Sequence, residues 1–585
     1  VGSEMCIRDR AETQGVTESH SVPDVEKILN KDKQGGEKDV VVQESDEVAA
    51  MHQESVAVSS VYARKVYIFN QIMNEHIGMT HWQYGLLFVA GLGWLIDNLW
   101  LQQVAVLLEQ VGVEFDVEQA HTPFMTLALF LGLAVGASVW GVLADILGRR
   151  ISFNVTLFIA GVFGLSCAGA NSFAGLGGLI ASLGFGLGGA LPVDGMLFLE
   201  FIPGRRQHLL ALLSVFWPVG QLIASLVGWG LITNYSCSST KACREQAAAE
   251  GKPEFTHLGW RTGNYGWRYT CFAVGGLTLL CFVVRFFVFH IPESPKFLLA
   301  KGRDAEAIRA LRDVAHRCGK DLPDDLLTVE SLRSAAGQDG WMDENKTLHD
   351  SRDAKTPFGK IKNSYLGFME NAKTIDFKPS LSQLKPFYCT KAMGYTSTVL
   401  WLLWGFIGLA YPLFNSFIVL YLSSNSSNDN YIVYRNYVIV SVCGVPGSIL
   451  AALLVDLPRS GRRGSMAVGT LLTGVFVFGF TGMSTANGSL VFSCIITFCQ
   501  QIMYGVLYCY TPEAFPAPLR GTGDGIGAGL NRLFGIFAPI IKIYGSGPQG
   551  SKQNSIPLYV AGAIFIASAL LMLTLRVETS GRTAL

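Results

Sequence analysis

Trp82-Gln-Tyr-Gly-Leu-Leu-Phe-Val-Ala-Gly-Leu-Gly-Trp94-Leu-Ile-Asp97-Asn98-Leu-Trp100 opens an apolar stretch, 82–108, long enough to cross a bilayer, and it carries a carboxylate. An ionised Asp at the centre of the hydrocarbon costs roughly 2.5–3.5 kcal/mol even on insertion scales. Such a residue either hydrogen-bonds to a neighbouring helix or serves a water-filled path, an ion or a solute. Trp94, Asp97, Asn98, Leu101 and Gln102 recur at helical spacing, so polar partners share the face of Asp97. Asp97 and Asn98 are therefore the first candidates for a binding site.

The rest of the chain is of the same character. Of 585 residues, 50% are hydrophobic and only 15% charged, against about a quarter charged in soluble domains. The 64 glycines suit close helix packing in lipid. Formal net charge is zero, which gives no bulk attraction to nucleic acid. Twelve apolar stretches are expected to span the bilayer: 82–108, 122–144, 150–170, 175–201, 209–233, 267–291, 393–421, 431–455, 465–486, 489–510, 521–543 and 556–577.

The expected fold is thus an all-α membrane protein of twelve transmembrane helices in two six-helix bundles. The first bundle occupies 66–291 and the second 393–577. Between them lies a cytosolic interval, 292–392, with short amphipathic helices such as Ala305–Ala315. Residues 1–65 are read as a disordered cytosolic tail poor in aromatics, and 578–585 as a cytosolic carboxy-terminal tail. Val1–Arg10 resembles an adaptor translation and is set aside as non-native.

Orientation follows the placement of Arg and Lys. Arg149 and Arg150, Arg205 and Arg206, Arg459, Arg462 and Arg463, and Arg520 follow spans 2, 4, 8 and 10, on one side. The connection after span 1 is acidic, with Glu109, Glu114, Asp116 and Glu118. Both termini and the central interval are therefore assigned to the cytosol. The loop after span 5, with Lys241, Arg244, Lys252 and Arg261, breaks the pattern. Glycan acceptor triplets at Asn234, Asn425 and Asn487 fall on the expected outer side, while the one at Asn345 does not. Cys237 and Cys243 share one polar outer loop and suit a local disulfide.

A basic turn is repeated. Gly141-Val-Leu-Ala-Asp145-Ile-Leu-Gly148-Arg149-Arg150 follows span 2, and Asp456-Leu-Pro-Arg-Ser-Gly461-Arg462-Arg463 follows span 8. A carboxylate there can accept charge-assisted hydrogen bonds from Arg and lock adjacent helices. This pattern, with six-plus-six organisation, resembles the major facilitator superfamily. Pro292-Glu-Ser-Pro-Lys-Phe-Leu-Leu299, Glu513-Ala-Phe-Pro-Ala-Pro-Leu-Arg520 and Glu578-Thr-Ser-Gly-Arg582 are similar to sugar-porter signatures. Gly184–Gly189, Leu199–Pro203, Val215–Gly220 and Ala90–Asp97 resemble the synaptic-vesicle-protein-related branch more closely.

The resemblance implies that Glu200, Glu293, Glu513 and Glu578 pair with Arg149, Arg150, Arg462, Arg463 or Arg520 on the cytosolic surface. Those pairs would stabilise the outward-open state. Gly141, Asp145, Gly148 and Asp456 complete the gating set. The chain departs from the family at Ile180, where a helix-4 Arg is expected, at Ala452 in place of a glycine, and at Val577 in place of a proline.

Polar groups inside the other spans complete the candidate site: Asp194, Trp217, Gln221, Asn415, Asn531 and Arg532. A guanidinium in mid-span needs a partner. For Arg532 the choices are Asp97, Asp194, Asp524 or an anionic substrate. Asp194, Gln221 and Asn415 serve equally as packing contacts. No Cys/His spacing resembles a metal site, and no nucleophile–base set or phosphate loop is present. No catalytic residue, metal or cofactor is expected.

The reading that results is a monomeric secondary transporter of a small polar organic solute. It works by alternating access, is coupled to protons through Asp97, and lies in the plasma membrane in preference to an internal one. Its partners are the solute, protons and the lipid bilayer, and no nucleic acid. An uncoupled facilitator and a non-transporting receptor on the same fold are the alternatives.

Overall fold

The computed structural model describes residues 61–575, apart from 204–205, 207–208, 238–239, 250–262, 290, 324–325, 331, 333–383, 425–429, 456–460, 484, 516 and 546–554. In hydrocarbon no water reaches backbone N–H and C=O groups, so an apolar segment must satisfy them within itself as a helix. Twelve helices among the described residues are long and apolar enough to cross a membrane. Helices 1 to 6 are His81–Phe115, Phe124–Leu147, Arg149–Cys167, Phe173–Phe201, Phe216–Tyr235 and Gly266–Val288. Helices 7 to 12 are Lys391–Ser423, Asn430–Leu454, Gly461–Thr481, Ala486–Ala514, Ala517–Gly535 continued by Phe537–Gly545, and Ile556–Leu573.

The packing repeats with a period of six helices. Helices 2 and 4, 3 and 6, and 1 and 5 pair in the first half, and helices 8 and 10, 9 and 12, and 7 and 11 pair in the second. Helix 5 meets helix 8 and helix 2 meets helix 11 across the two halves. Helices 1, 4, 7 and 10 are buried over most of their length, while the other eight bury half or less. The chain is therefore two related bundles whose central helices face one another. Gly148 with φ +97 and Gly461 with φ +59 make the equivalent sharp turns before helices 3 and 9, a conformation costly to any residue with a Cβ.

Helices 2 and 4 approach at backbone distance. A Cβ on Gly132 would strike the carbonyl oxygen of Ala181, and one on Gly188 the carbonyl oxygen of Leu133. Small residues at such crossings gain dispersion contacts that lipid tails cannot match.

The first half is also held by an interior ion pair. Arg285 Nη2 bonds Asp194 Oδ2 at 2.6 Å, and both side chains are fully buried. The same guanidinium donates to the carbonyls of Val89, Ala90 and Phe153 and lies over the Phe153 ring. It thus joins helices 1, 3, 4 and 6. Gly93 leaves room for it, since a Cβ there would collide with the Asp194 carboxylate. Of the two roles open to Asp194 on sequence, solute binding and helix packing, the contacts here are those of a helix-packing clamp.

Two boundaries differ from those expected. Helix 1 runs to Phe115, past the expected limit of 108, so Glu109 and Glu114 belong to the helix. Glu114 is buried there because Arg268 of helix 6 bonds it at 3.0 Å and Asn264 donates to it; hydropathy alone does not register that pairing. The amino-terminal tail ends earlier than residue 65, in a helix Val61–Ile72. Lys65 bonds Asp304 at 2.5 Å out of solvent, and Phe69, Ile72 and Met73 join Phe297, Ile308 and Leu311 in a second small core. The helix Asp304–Arg317 buries Ala307, Ile308, Leu311, Val314 and Ala315, the spacing of one helical face. Cys237 and Cys243 are disulfide-bonded, with Cα atoms 5.6 Å apart.

Two outcomes follow. Gly188→Val should lower the melting temperature and the yield of folded protein, by roughly 1–3 kcal/mol or more, whereas Gly178→Val on the same helix, where a Cβ meets open space, should leave both unchanged in a thermal-shift assay. Arg285→Met strands the Asp194 carboxylate and should cost about 3–5 kcal/mol; pairing it with Asp194→Leu should restore most of the melting temperature.

Candidate functional site

Helix 1 brings Asp97 to the centre of the molecule, fully buried. Arg532 of helix 11 donates to both of its oxygens, at 2.9 Å to Oδ1 and 3.0 Å to Oδ2. The indole N–H of Trp217 on helix 5 donates to Oδ2 at 3.4 Å. The carboxylate is in one half of the protein and the guanidinium in the other. Of the partners open to Arg532 on sequence, the structure pairs it with Asp97. Helix 11 can lie close enough because its neighbours are small: a Cβ on Gly408 of helix 7 would strike the backbone of Asn531.

Around this pair stands a wall of aromatic rings. Trp217 stacks on Tyr411 with centroids 5.5 Å apart and meets Tyr504 edge-on at 4.9 Å. Tyr508 lies between Trp94 at 4.7 Å and Trp404 at 4.8 Å. Gln102, Trp217, Tyr411, Tyr504, Asn531 and Arg532 line a cavity of about 20 Å³. That is room for about one water molecule and too little for an organic solute. The buried indole N–H of Trp94 makes no hydrogen bond among the described residues.

The remaining polar candidates lie around the cavity. Asn98 donates to the Trp217 carbonyl at 2.8 Å, and Asn531 to the Trp404 carbonyl at 3.2 Å. Asn415 sits behind the wall, donating to Gln500 at 2.6 Å and to the Tyr411 carbonyl at 3.4 Å. Gln221 is fully buried near Tyr437, outside the lining.

On the basic face, assigned above to the cytosol, Arg149 Nε bonds Glu200 at 3.3 Å. Glu293 Oε1 accepts the backbone N–H of Arg149 at 2.9 Å and of Arg150 at 3.4 Å. Its carboxylate rests against Gly148, where a Cβ would collide with it. Burial pushes the Glu293 carboxyl up from its ordinary value, opposed by the N–H groups of Ser294, Arg149 and Arg150. Six helices further on, Arg462 pairs with Glu513, and Arg463 donates to the Leu573 carbonyl at 2.6 Å. The Arg149–Glu200 pair joins helices 3 and 4, and the Arg462–Glu513 pair joins helices 9 and 10, so each lies within one half. Gly141 faces open space. The side chains of Asp145 and Arg520, and the whole of Asp456 and Glu578, lie outside the described residues.

Arg285 and the tyrosines of the wall were not candidates on sequence. Arg285 had a signal of the same kind as Asp97, a lone charge inside Phe282-Val-Val-Arg285-Phe-Phe-Val288. Tyr504 and Tyr508, one turn apart, read as ordinary apolar helix because a phenol ring is mostly hydrocarbon.

Comparison with known proteins agrees with this architecture. The profile described as Major Facilitator Superfamily matches residues 84–539. "MFS siderochrome iron transporter 1" of Ceriporiopsis subvermispora is 40% identical over 534 residues, 90% of this chain and 93% of that protein. "Niacin transporter NiaP" of Acinetobacter baylyi is 26% identical over 522 residues, 88% of this chain and 98% of that protein. Among solved structures, the partially occluded inward-open xylose transporter XylE from E. coli superposes with a TM-score of 0.58 at 16% identity, over 86% of this chain and 99% of that one. A twelve-helix chain with this repeat, these basic turns and this match over most of its length belongs to the major facilitator superfamily.

Proposed function

We propose that the protein carries a small polar organic solute across the membrane by alternating access, together with a proton, and that the solute is a flat aromatic carboxylate. The observation that carries this reading is the Asp97–Arg532 pair, set between the two halves and walled by Trp217, Tyr411, Tyr504 and Tyr508. Arg532 offers a planar fork of donors matched to a carboxylate. The rings offer faces for stacking, and the free indole N–H of Trp94 offers a donor to a ring nitrogen or hydroxyl. The relative named as a niacin transporter supports the choice, niacin being a pyridine carboxylic acid.

Coupling follows from competition for one cation. A solute carboxylate that takes Arg532 displaces Asp97. Left ionised and unpaired at bilayer depth, Asp97 carries a penalty of roughly 2.5–3.5 kcal/mol, and a proton removes it. Solute anion and proton then move together without net charge. After release, Asp97 loses its proton and pairs with Arg532 again, which permits the empty return. The bonds on the basic face, Arg149–Glu200, Arg462–Glu513 and the Glu293 cap, hold the helices of each half as rigid units during the movement.

The test is uptake of radiolabelled nicotinate into proteoliposomes. A pH gradient, acid outside, should drive accumulation by the parent protein. Asp97→Asn should abolish the pH-driven component while counterflow persists. Arg532→Gln should raise the half-saturating nicotinate concentration by about tenfold or more, the scale of a lost charge-assisted pair in a buried site. Accumulation by Asp97→Asn that still follows the pH gradient would refute the coupling role.

We further infer a monomer in the plasma membrane, with glycan at Asn234 and Asn487, which are exposed at the outer ends of helices 5 and 10. Enzymatic deglycosylation should increase gel mobility of the parent and have no effect on the Asn234→Gln/Asn425→Gln/Asn487→Gln variant.

A further inference from the structure

Outward of Asp97 on helix 1 lies a second junction between the halves. Gln102 is five residues on, about 7.5 Å along the axis. Tyr437 of helix 8 donates its hydroxyl to Gln102 Oε1 at 2.6 Å. Gln102 Nε2 donates to Asn98 Oδ1 at 3.2 Å and reaches the Tyr411 hydroxyl at 3.5 Å. Asn98 in turn holds the Trp217 carbonyl, and Trp217 bonds Asp97. Gln102, Asn98, Tyr411 and Tyr437 are all buried. A neighbouring contact, Tyr434 of helix 8 to the Val106 carbonyl at 3.1 Å, closes the same interface further out.

These two tyrosine contacts differ in kind. Tyr434 bonds a backbone carbonyl, which stays in place whatever fills the cavity. Tyr437 bonds a side chain that lines the cavity and whose other end reaches the Tyr411 hydroxyl of the cavity wall. A carboxamide is suited to this place because one side chain supplies an acceptor and two donors, pointing in opposite directions. Leu would fit the space and supply neither.

We propose that Gln102 is the positioning residue that links the seating of the central cavity wall to closure of the outer side. Resting on the alternating-access reading above, the link works as follows. With Tyr411 and Trp217 seated on the central site, by the Asp97–Arg532 pair as in this conformation or by a solute that takes its place on Arg532, the Gln102 nitrogen is held and its oxygen is aimed at Tyr437, so the outer contact forms. With the wall unseated, the amide is free to turn and Tyr437 loses its acceptor. The contact through Tyr434 closes the interface and carries no information about the cavity.

The experiment is labelling of Ser416→Cys, a position in the cavity lining, by a membrane-impermeant thiol reagent added from outside. Rates are measured in whole cells, with and without saturating nicotinate, against the same protein lacking that substitution. Gln102→Leu, Tyr437→Phe and Tyr434→Phe should each label about fivefold faster than the parent, the shift expected for one neutral hydrogen bond. Nicotinate should slow labelling in the parent and in Tyr434→Phe by clearly more than in Gln102→Leu or Tyr437→Phe, where the bound solute shields the thiol but no longer closes the outer side. Tyr437→Phe, which removes one oxygen atom, keeps the test valid if Gln102→Leu folds poorly. A parental labelling rate in Tyr437→Phe, or nicotinate protection of that variant equal to the parent's, would overturn the proposal. Absence of protection even in the parent would overturn the solute class proposed above, and the labelling rates would still decide whether Gln102 and Tyr437 close the outer side.

Discussion

The contact on which the rest depends is the ion pair between Asp97 of helix 1 and Arg532 of helix 11. A carboxylate and a guanidinium at bilayer depth are each expensive, and each is tolerated only with a partner. Here the partners sit in opposite halves, so the pair ties the two bundles at their centre. The neighbouring pair, Asp194 with Arg285, has the same chemistry and the opposite consequence. Both members lie in the first half, and the guanidinium is saturated by three carbonyls and the carboxylate. One ion pair lies inside a bundle; the other lies between the two.

That contrast organises the remaining polar chemistry. On the basic face, Arg149–Glu200 and Arg462–Glu513 repeat one layout within each half. Toward the other side, the tyrosines of helix 8 reach helix 1 and join the halves directly. Rigid bundles with charged locks inside, joined by one central ion pair and by neutral contacts further out, suit a protein proposed to rock about a central site. The small cavity holds about one water molecule, so the proposed solute enters only when the halves part around it.

Much of the fold was legible in the sequence because lipid imposes a simple rule: an apolar stretch of about 20 residues must be a helix. Ambiguity arose where charge is hidden by pairing. Glu109 and Glu114 read as an acidic loop, yet Glu114 is carried inside helix 1 by Arg268, a partner 154 residues away in sequence. Asp97 and Arg532 were recognisable as residues in need of partners, but their match to each other, in preference to Asp194, depends on how helices 1 and 11 meet. The aromatic wall was hidden for another reason. Tyr411, Tyr504 and Tyr508 satisfy the hydropathy of a helix and the chemistry of the proposed binding site at once, so composition does not distinguish the two.

The most direct measurement is the proton balance of solute binding. Purified protein in weakly buffered solution, titrated with nicotinate, should take up about one proton per molecule bound, because the solute replaces Asp97 on Arg532 and Asp97 is left to be neutralised. Asp97→Asn should bind nicotinate with no proton uptake. Binding by the parent protein without proton uptake would contradict the exchange of partners on Arg532 that the account places at the centre of transport.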